Sequence, residues 1–167
     1  MREVAILLDL FFYNWQVREE WLKWCKSIPT EELQAERVGG MGSILKNLIH
    51  VIDCELLWIN YMLEEPYHYS EKDFIVNLED VERYSLFTKN VTEHFLLNLP
   101  KDYEKKHIQI SSKRGDTHFF TYGKIIRHII THEIHHMGQL SIWSREVEVK
   151  PVSSDLIVRQ YIKKDPF

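Results

Sequence analysis

Four segments of the chain carry apolar residues at the i, i+3, i+4, i+7 spacing of amphipathic helices, and this periodicity limits the fold most strongly. They run from about Val4 to Lys26, Ser43 to Leu63, Leu78 to Leu99 and Tyr122 to Val147. Ser43 and Thr121 are candidate N-caps, because their side-chain oxygens can accept hydrogen bonds from the first helical turn. Four long helices with modest connections predict an all-α four-helix bundle.

A polar stretch between the third and fourth segments interrupts this pattern. Residues 107–110 alternate polar and apolar side chains, and Arg114-Gly115-Asp116 separates them from residues 117–120, which predicts a short hairpin or extended excursion. The tail from Glu148 is expected to pack along the bundle. With 167 residues, the chain is expected to form one domain over residues 1–167.

Composition argues against several classes of function. The net charge of -4 comes from 21 basic and 25 acidic residues without a concentrated basic region, so neither nucleic acid nor an anionic membrane is an expected partner. No segment approaches the roughly 20 apolar residues of a membrane span, and no signal peptide is recognisable. Two cysteines, Cys25 and Cys54, indicate no disulfide framework, so a cytoplasmic location is expected.

Histidines lie on the apolar faces of two predicted helices. At about 100° per residue, one face of the fourth helix carries Ile125, Ile129, His132, His136, Leu140, Trp143 and Val147. One face of the second carries Ser43, Asn47, His50, Cys54, Leu57 and Tyr61. His132 and His136 stand one turn apart and project the same way, a spacing that lets two imidazoles bind one ion.

We interpret His50, His132 and His136 as ligands of one divalent metal ion. A buried imidazole needs partners for both ring nitrogens, and a metal satisfies one of them. Asp53 and Gln139, each about one turn from a histidine, are candidates to hold the other nitrogens. His128, one turn before His132, is expected to line the same pocket. The alternative is that the three histidines are ordinary core residues without a metal.

A second apolar band on the fourth helix has a different implication. It consists of Ile126, Ile130, Ile134 and Met137. A helix that is apolar on two sides is either deeply buried or part of a subunit contact. On this ground we expect a homodimer.

The residues from His132 to His136 also match the HExxH motif. In zincin metalloproteases that string supplies two zinc ligands and a glutamate base. Here no convincing sheet is predicted to align a peptide, and no histidine follows His136 as a further ligand. Glu146 and Glu148 remain as downstream carboxylates, so proteolysis is kept as a less favoured alternative.

The block from Thr131 to Leu140 resembles the signature of the bacterial DinB-like metal-binding family, also called the DinB/YfiT family. Residues 45–58, with His50, Glu55 and Trp58, resemble its second-helix motif. Tyr13-Asn14-Trp15 resembles its first helix, and Arg145 with residues 151–156 resembles the usual end of its fourth helix and tail. The resemblance covers nearly the whole chain.

The resemblance implies a four-helix bundle, often dimeric, with a three-histidine site for zinc or nickel at His50, His132 and His136. It also implies similarity to metal-dependent transferases and isomerases that use low-molecular-weight thiols such as bacillithiol or mycothiol. We therefore expect a thiol S-transferase or hydrolase that acts on small electrophiles in stress or detoxification.

Two positions depart from the family pattern. Met137 replaces the usual arginine after the last ligand, and Glu148 replaces a common glycine. The alternative function is therefore a metal-binding stress protein without catalysis.

Overall fold

The computed structural model describes residues 2–65, 75, 77–111 and 115–159, with side chains from residue 7 onward. The helices are α1 (Arg2–Cys25), α2 (Thr30–Gln34), α3 (Ile44–Leu63), α4 (Leu78–Leu97) and α5 (Tyr122–Glu146). The strands are β1 (His107–Ser111) and β2 (Thr117–Thr121), and a short 3-10 helix spans Leu156–Val158. The predicted helical bundle with a hairpin before the last long helix is confirmed. The five-residue α2 was not predicted.

The helix starts follow local capping. The side chain of Ser43 accepts a hydrogen bond from the Lys46 N–H at 3.2 Å, and that of Thr121 accepts one from the Lys124 N–H at the same distance. Both predicted N-caps are therefore confirmed. At the start of α4, Asn77 and Asp80 form a reciprocal capping box, which fixes a helix start that has no serine or threonine cap.

Helices α3 and α5 pack against each other, and α1 and α4 close the bundle around them. The core has two clusters of buried side chains. One is centred on Trp21, Leu48 and Ile52, and the other on Phe11, Ile59 and Ile126. Because the histidine-bearing faces belong to α3 and α5, this packing directs them toward each other.

The tail packs along the bundle, as predicted. The Tyr13 hydroxyl donates a hydrogen bond to the Ser154 carbonyl at 2.6 Å, and the Trp24 indole donates to the Lys150 carbonyl at 3.0 Å. Both donors belong to α1. The side chains of the first helix therefore hold the chain that follows α5.

The hairpin leads directly into α5. Strands β1 and β2 pair antiparallel, with His107 opposite Thr121 and Ser111 opposite Thr117. The Tyr122 hydroxyl donates a hydrogen bond to the Met62 carbonyl at 2.8 Å, which ties this end of α5 to the end of α3. The side chain of Phe120 is thereby held near Trp58, with ring centroids 5.9 Å apart.

The second apolar band of α5 is largely buried within the chain itself. Ile126, Ile130 and Met137 are each at most 3% exposed, and only Ile134, at 44%, lies open to solvent. The band therefore needs no subunit contact to explain it. This removes the observation on which the expected homodimer was based.

Three histidines outside the two apolar faces, His94, His107 and His118, lie on the surface. His68 lies outside the described residues. Within the described ranges, every helix is too short or too polar to cross a bilayer.

Candidate metal centre

Three imidazoles from two helices converge at the α3–α5 interface. The Nε2 atoms of His50 and His132 lie 3.2 Å apart. His136 joins them, so that the three rings offer ligand atoms that all lie within 4.8 Å of one another. His136 is buried, whereas His50 and His132 are half-buried, so the group lies in the interior with one side near solvent.

The spacing fits a shared cation. Zinc–nitrogen bonds of about 2.0–2.1 Å at tetrahedral angles place two ligand nitrogens roughly 3.3 Å apart. The observed 3.2 Å between the Nε2 atoms of His50 and His132 is close to that value. These three side chains can hold a divalent metal ion.

The second ring nitrogen of His136 is held by two amide oxygens. Its Nδ1 lies 2.9 Å from Asn47 Oδ1 and 2.8 Å from Gln139 Oε1. Since both atoms are acceptors, the ring proton resides on Nδ1 and Nε2 presents its lone pair. The Asn47 amide also donates a hydrogen bond to the His136 carbonyl at 3.0 Å, which fixes the amide's orientation.

Gln139 was a predicted partner of this ring, but Asn47 was not recognised. The signal was present, because Asn47 shares the apolar face of the second predicted helix with His50 and stands about one turn before it. A polar amide in the middle of an apolar stripe needs a partner, and the histidine of the facing helix is that partner.

The electrostatics of the group favour the neutral form of His132 and His136. Burial, together with the neighbouring rings of His136 and His50, lowers the pKa of His132 to about 4. Burial also lowers the pKa of His136. A metal ligand must be deprotonated, so these shifts leave lone pairs available at neutral pH.

The remaining predicted residues lie farther out. Asp53 accepts a hydrogen bond from the Tyr84 hydroxyl at 3.1 Å. His128 is exposed, with its ring centroid 5.4 Å from that of His132. His135 is also exposed, and its Nε2 lies 3.2 Å from the Gln139 amide nitrogen.

A buried ion-pair network beside the histidines was not predicted. Arg18 is 1% exposed, and its guanidinium pairs with the carboxylates of Glu55 and Glu133. The Trp15 indole donates a further hydrogen bond to Glu55 at 3.1 Å. Burial raises the pKa of Glu133, and the Arg18 charge opposes that shift. The network joins α1, α3 and α5 in the interior.

This network argues against the metalloprotease interpretation. In an HExxH site the glutamate acts as a base beside the metal-bound ligands. Here Glu133 is 2% exposed, and both of its carboxylate oxygens bind Arg18, at 2.7 and 2.6 Å. The Glu133 carboxylate is therefore held in the interior of the bundle by Arg18.

Neither cysteine belongs to the histidine group. Cys25 is buried and Cys54 is half-buried. Burial raises the pKa of the Cys54 thiol to about 12, and the pKa of Cys25 to about 12 as well. Both thiols are free and stay protonated near neutral pH.

The fold and this side-chain group together define a helical-bundle protein with an interhelical three-histidine site that can hold a divalent cation. The sequence model of the DinB family matches residues 1–164. The chain is also 35% identical over 158 residues to the uncharacterized protein YizA of Bacillus subtilis (strain 168), covering 92% of this chain and 95% of that protein. The chain therefore belongs to the DinB family, as its sequence predicted.

Proposed function

We propose that this protein is a metal-dependent enzyme that joins a low-molecular-weight thiol to a small electrophile, with zinc or nickel bound by His50, His132 and His136. The observation that carries the proposal is the convergence of three imidazoles from α3 and α5, two of them with their Nε2 atoms 3.2 Å apart. Three protein ligands are the number that catalytic zinc sites use, with a further position left for substrate.

The surrounding residues support this role by orienting the ligands. Asn47 and Gln139 hold Nδ1 of His136, which directs Nε2 toward the other two rings. Such partners preserve the ligating tautomer and typically affect metal affinity by 10–100-fold. Because His50 and His132 are only half-buried, a small molecule can approach from their side.

A divalent ion held by these histidines supplies a Lewis acid that stabilises the thiolate form of a thiol at neutral pH. In the proposed reaction, sulfur forms a bond to the electrophilic carbon while the bond from that carbon to the leaving group breaks. The leaving group departs with the bonding electrons, and the thiol proton passes to solvent. Water in place of the thiol would give a hydrolase with the same ligands.

Elemental analysis and a conjugation assay test this proposal together. We expect untagged protein to contain about one zinc or nickel per chain, and His132→Ala to lose it. His94→Ala changes an exposed histidine on α4 and should retain the metal. The loaded protein should then accelerate conjugation of bacillithiol with a small epoxide or halide.

Equal metal content in the two variants would contradict the metal site. Conjugation at the background rate with every thiol tested would contradict the transferase. Consumption of the electrophile at the same rate without thiol would identify the hydrolase instead.

A metal-binding stress protein without catalysis is the second candidate. Met137 favours it, because this residue replaces the arginine usual in the family and is 3% exposed in the core. The position therefore offers no charge to a substrate. Binding of an inhibitor such as acetohydroxamate to the metal discriminates, since a closed structural site has no free coordination position.

The proposal also includes a cytoplasmic location, a single domain over residues 1–167 and a homodimer. The free thiols of Cys25 and Cys54 fit a reducing compartment. Exposed Ile134 and Ile142 on α5 are the apolar side chains that a dimer contact through this helix would cover. Light scattering on the purified chain measures its mass and decides between monomer and dimer.

A further inference from the structure

A small cavity opens beside the histidine group on the side of the hairpin. Its volume is about 220 Å³, and it is lined by Trp58, Phe120, Lys124, Ile125 and His128. These residues come from α3, β2 and the first two turns of α5. The cavity is separate from the ligand set, since none of the three ligating histidines lines it.

The cavity and the metal site are nevertheless neighbours. His128 forms a wall of the cavity, and its ring centroid lies 5.4 Å from that of His132. Along α5 the two residues are one turn apart, about 6 Å at 1.5 Å per residue. A molecule whose reacting atom approaches the three imidazoles can therefore place another part of its structure in the cavity.

The walls suit an aromatic ring. The Trp58 ring meets Phe120 at 5.9 Å between centroids and 89°, and meets His128 at 5.7 Å and 81°. Edge-to-face contacts of this kind are the arrangement that aromatic pairs prefer. A cavity of about 150 Å³ accepts benzene, so 220 Å³ accommodates one ring with a small substituent.

One positive charge lies at this cavity. The Lys124 ammonium is 5.8 Å from the centroid of the Phe120 ring, and the side chain is exposed. Within the described parts of the chain, Lys124 forms no ion pair with a carboxylate. The charge is therefore available to an acidic group on a bound molecule.

We propose that this cavity is a substrate subsite that binds an aromatic ring bearing an acidic group. The inference extends the proposed function, and it names aromatic acids as the class of electrophile that the enzyme would take. The ring would contact Trp58 and Phe120, and the acidic group would pair with Lys124. The reacting carbon would lie on the side of His128 that faces the three imidazoles.

Ligand-observed NMR with 3-phenylpropanoate tests the subsite on the full chain, both as purified and after chelator treatment. Hexanoate and 3-phenylpropanamide serve as the non-aromatic and uncharged comparisons. We expect saturable binding of 3-phenylpropanoate in both forms of the protein. Hexanoate should bind about fivefold more weakly, because it lacks the aromatic contacts.

Two neighbouring phenylalanines provide a matched pair of variants. Phe120→Ala should weaken binding of 3-phenylpropanoate by about five- to tenfold, because Phe120 lines the cavity. Phe119→Ala removes an exposed ring from the adjacent position and should change binding by less than about twofold. Lys124→Met changes an exposed side chain and should remove the preference for the acid over its amide.

Equal effects of the two phenylalanine variants would overturn the subsite, as would hexanoate binding as tightly as 3-phenylpropanoate. Binding that disappears with the metal would also overturn it, because the carboxylate would then simply ligate the ion. Failure of the proposed function is measured separately, by metal content and conjugation rate. Binding of 3-phenylpropanoate to chelator-treated protein supports the subsite regardless of the result of that assay.

Discussion

Arg18 and Glu133 form a two-point ion pair in the interior of the bundle, with Nε 2.7 Å from Oε1 and Nη2 2.6 Å from Oε2. Glu133 directly follows the candidate ligand His132 in sequence. The pair therefore fixes α1 against the stretch of α5 that carries the metal site. Glu55, bound by the same guanidinium, fixes α3 in the same way.

Replacing this arginine should destabilise the fold strongly. Arg18→Met leaves two buried carboxylates without their counter-charge, and breaking a buried pair in this way costs about 3–5 kcal/mol. Urea unfolding measures the loss in free energy of unfolding. Arg127→Met removes an exposed arginine paired with Glu104 and should cost at most about 1 kcal/mol.

The destabilisation should depend on pH. Burial already raises the pKa of Glu133, and without Arg18 the strongest opposition to that shift is lost. A carboxyl whose folded pKa is above its unfolded value binds more protons in the folded state, so its contribution to stability is lost as pH rises. Arg18→Met should therefore lose more stability at pH 8 than at pH 5. A loss that is larger at pH 5 would contradict this account.

Asn47 should control metal affinity without touching the metal. Asn47→Leu removes an acceptor from His136 Nδ1 and should weaken binding of zinc by about 10-fold or more. Competition with a chromogenic chelator measures the affinity. Asn90→Leu, at an exposed position on α4, is the control and should leave the affinity unchanged.

Gly40 should matter because of its contact with Gln139. A Cβ at Gly40 would lie 2.6 Å from Gln139 Oε1, whereas a Cβ at Gly39 meets nothing within 4 Å. Both glycines have positive φ, so alanine strains the backbone at either position. Gly40→Ala should displace Gln139 from His136 and weaken zinc binding by roughly 10-fold, the lower end of the range for losing a partner that orients a metal ligand. If Gly39→Ala weakens zinc binding equally, the cause is backbone strain and not Gln139.

The Cys54 thiol should react slowly. Its pKa of about 12 means that roughly one thiol in 10⁴ is ionised at pH 8, and the thiolate is the reactive form. The rate of alkylation by iodoacetamide, followed by mass spectrometry, should still rise about tenfold per pH unit at pH 9.5. A cysteine peptide, with a pKa near 8.5, levels off by then. A plateau near pH 9 in the protein would refute the shift.

Two glutamates occupy a left-handed backbone conformation that favours glycine. Glu64 has φ of 59° and Glu148 has φ of 58°. Glu148→Gly and Glu64→Gly should each raise the free energy of unfolding by roughly 0.5–1 kcal/mol, because the strain of the side chain is removed. Glu146→Gly, within α5, should lower it by about 1 kcal/mol. Thermal unfolding compares the three, and stabilisation by Glu146→Gly would contradict the argument.

The sequence predicted the parts of the structure that depend on local periodicity. The four long helices end within about two residues of the predicted positions, because apolar spacing and capping side chains such as Ser43 are local signals. The prediction that His50 faces His132 followed from the same periodicity on two helices. The family glycine at position 148 also agrees with the positive φ observed there.

The parts that were missed depend on contacts between distant segments. Arg18 and Glu55 lie in different helical segments, and a helical wheel does not reveal that they pair across the bundle. Likewise, Ile126 and Ile130 suggested a subunit contact, and only the packing of α5 shows that they are covered by the chain itself. The single domain over residues 1–167 and the homodimer stay predictions.

His50 and His132 are 82 residues apart in sequence, yet their Nε2 atoms lie 3.2 Å from each other. An ion shared between them would act as a reversible cross-link that closes a long loop of chain. Its release and the local opening of α3 from α5 would then be one event. Amide hydrogens in the middle of α5 should therefore exchange with solvent no faster than the ion dissociates.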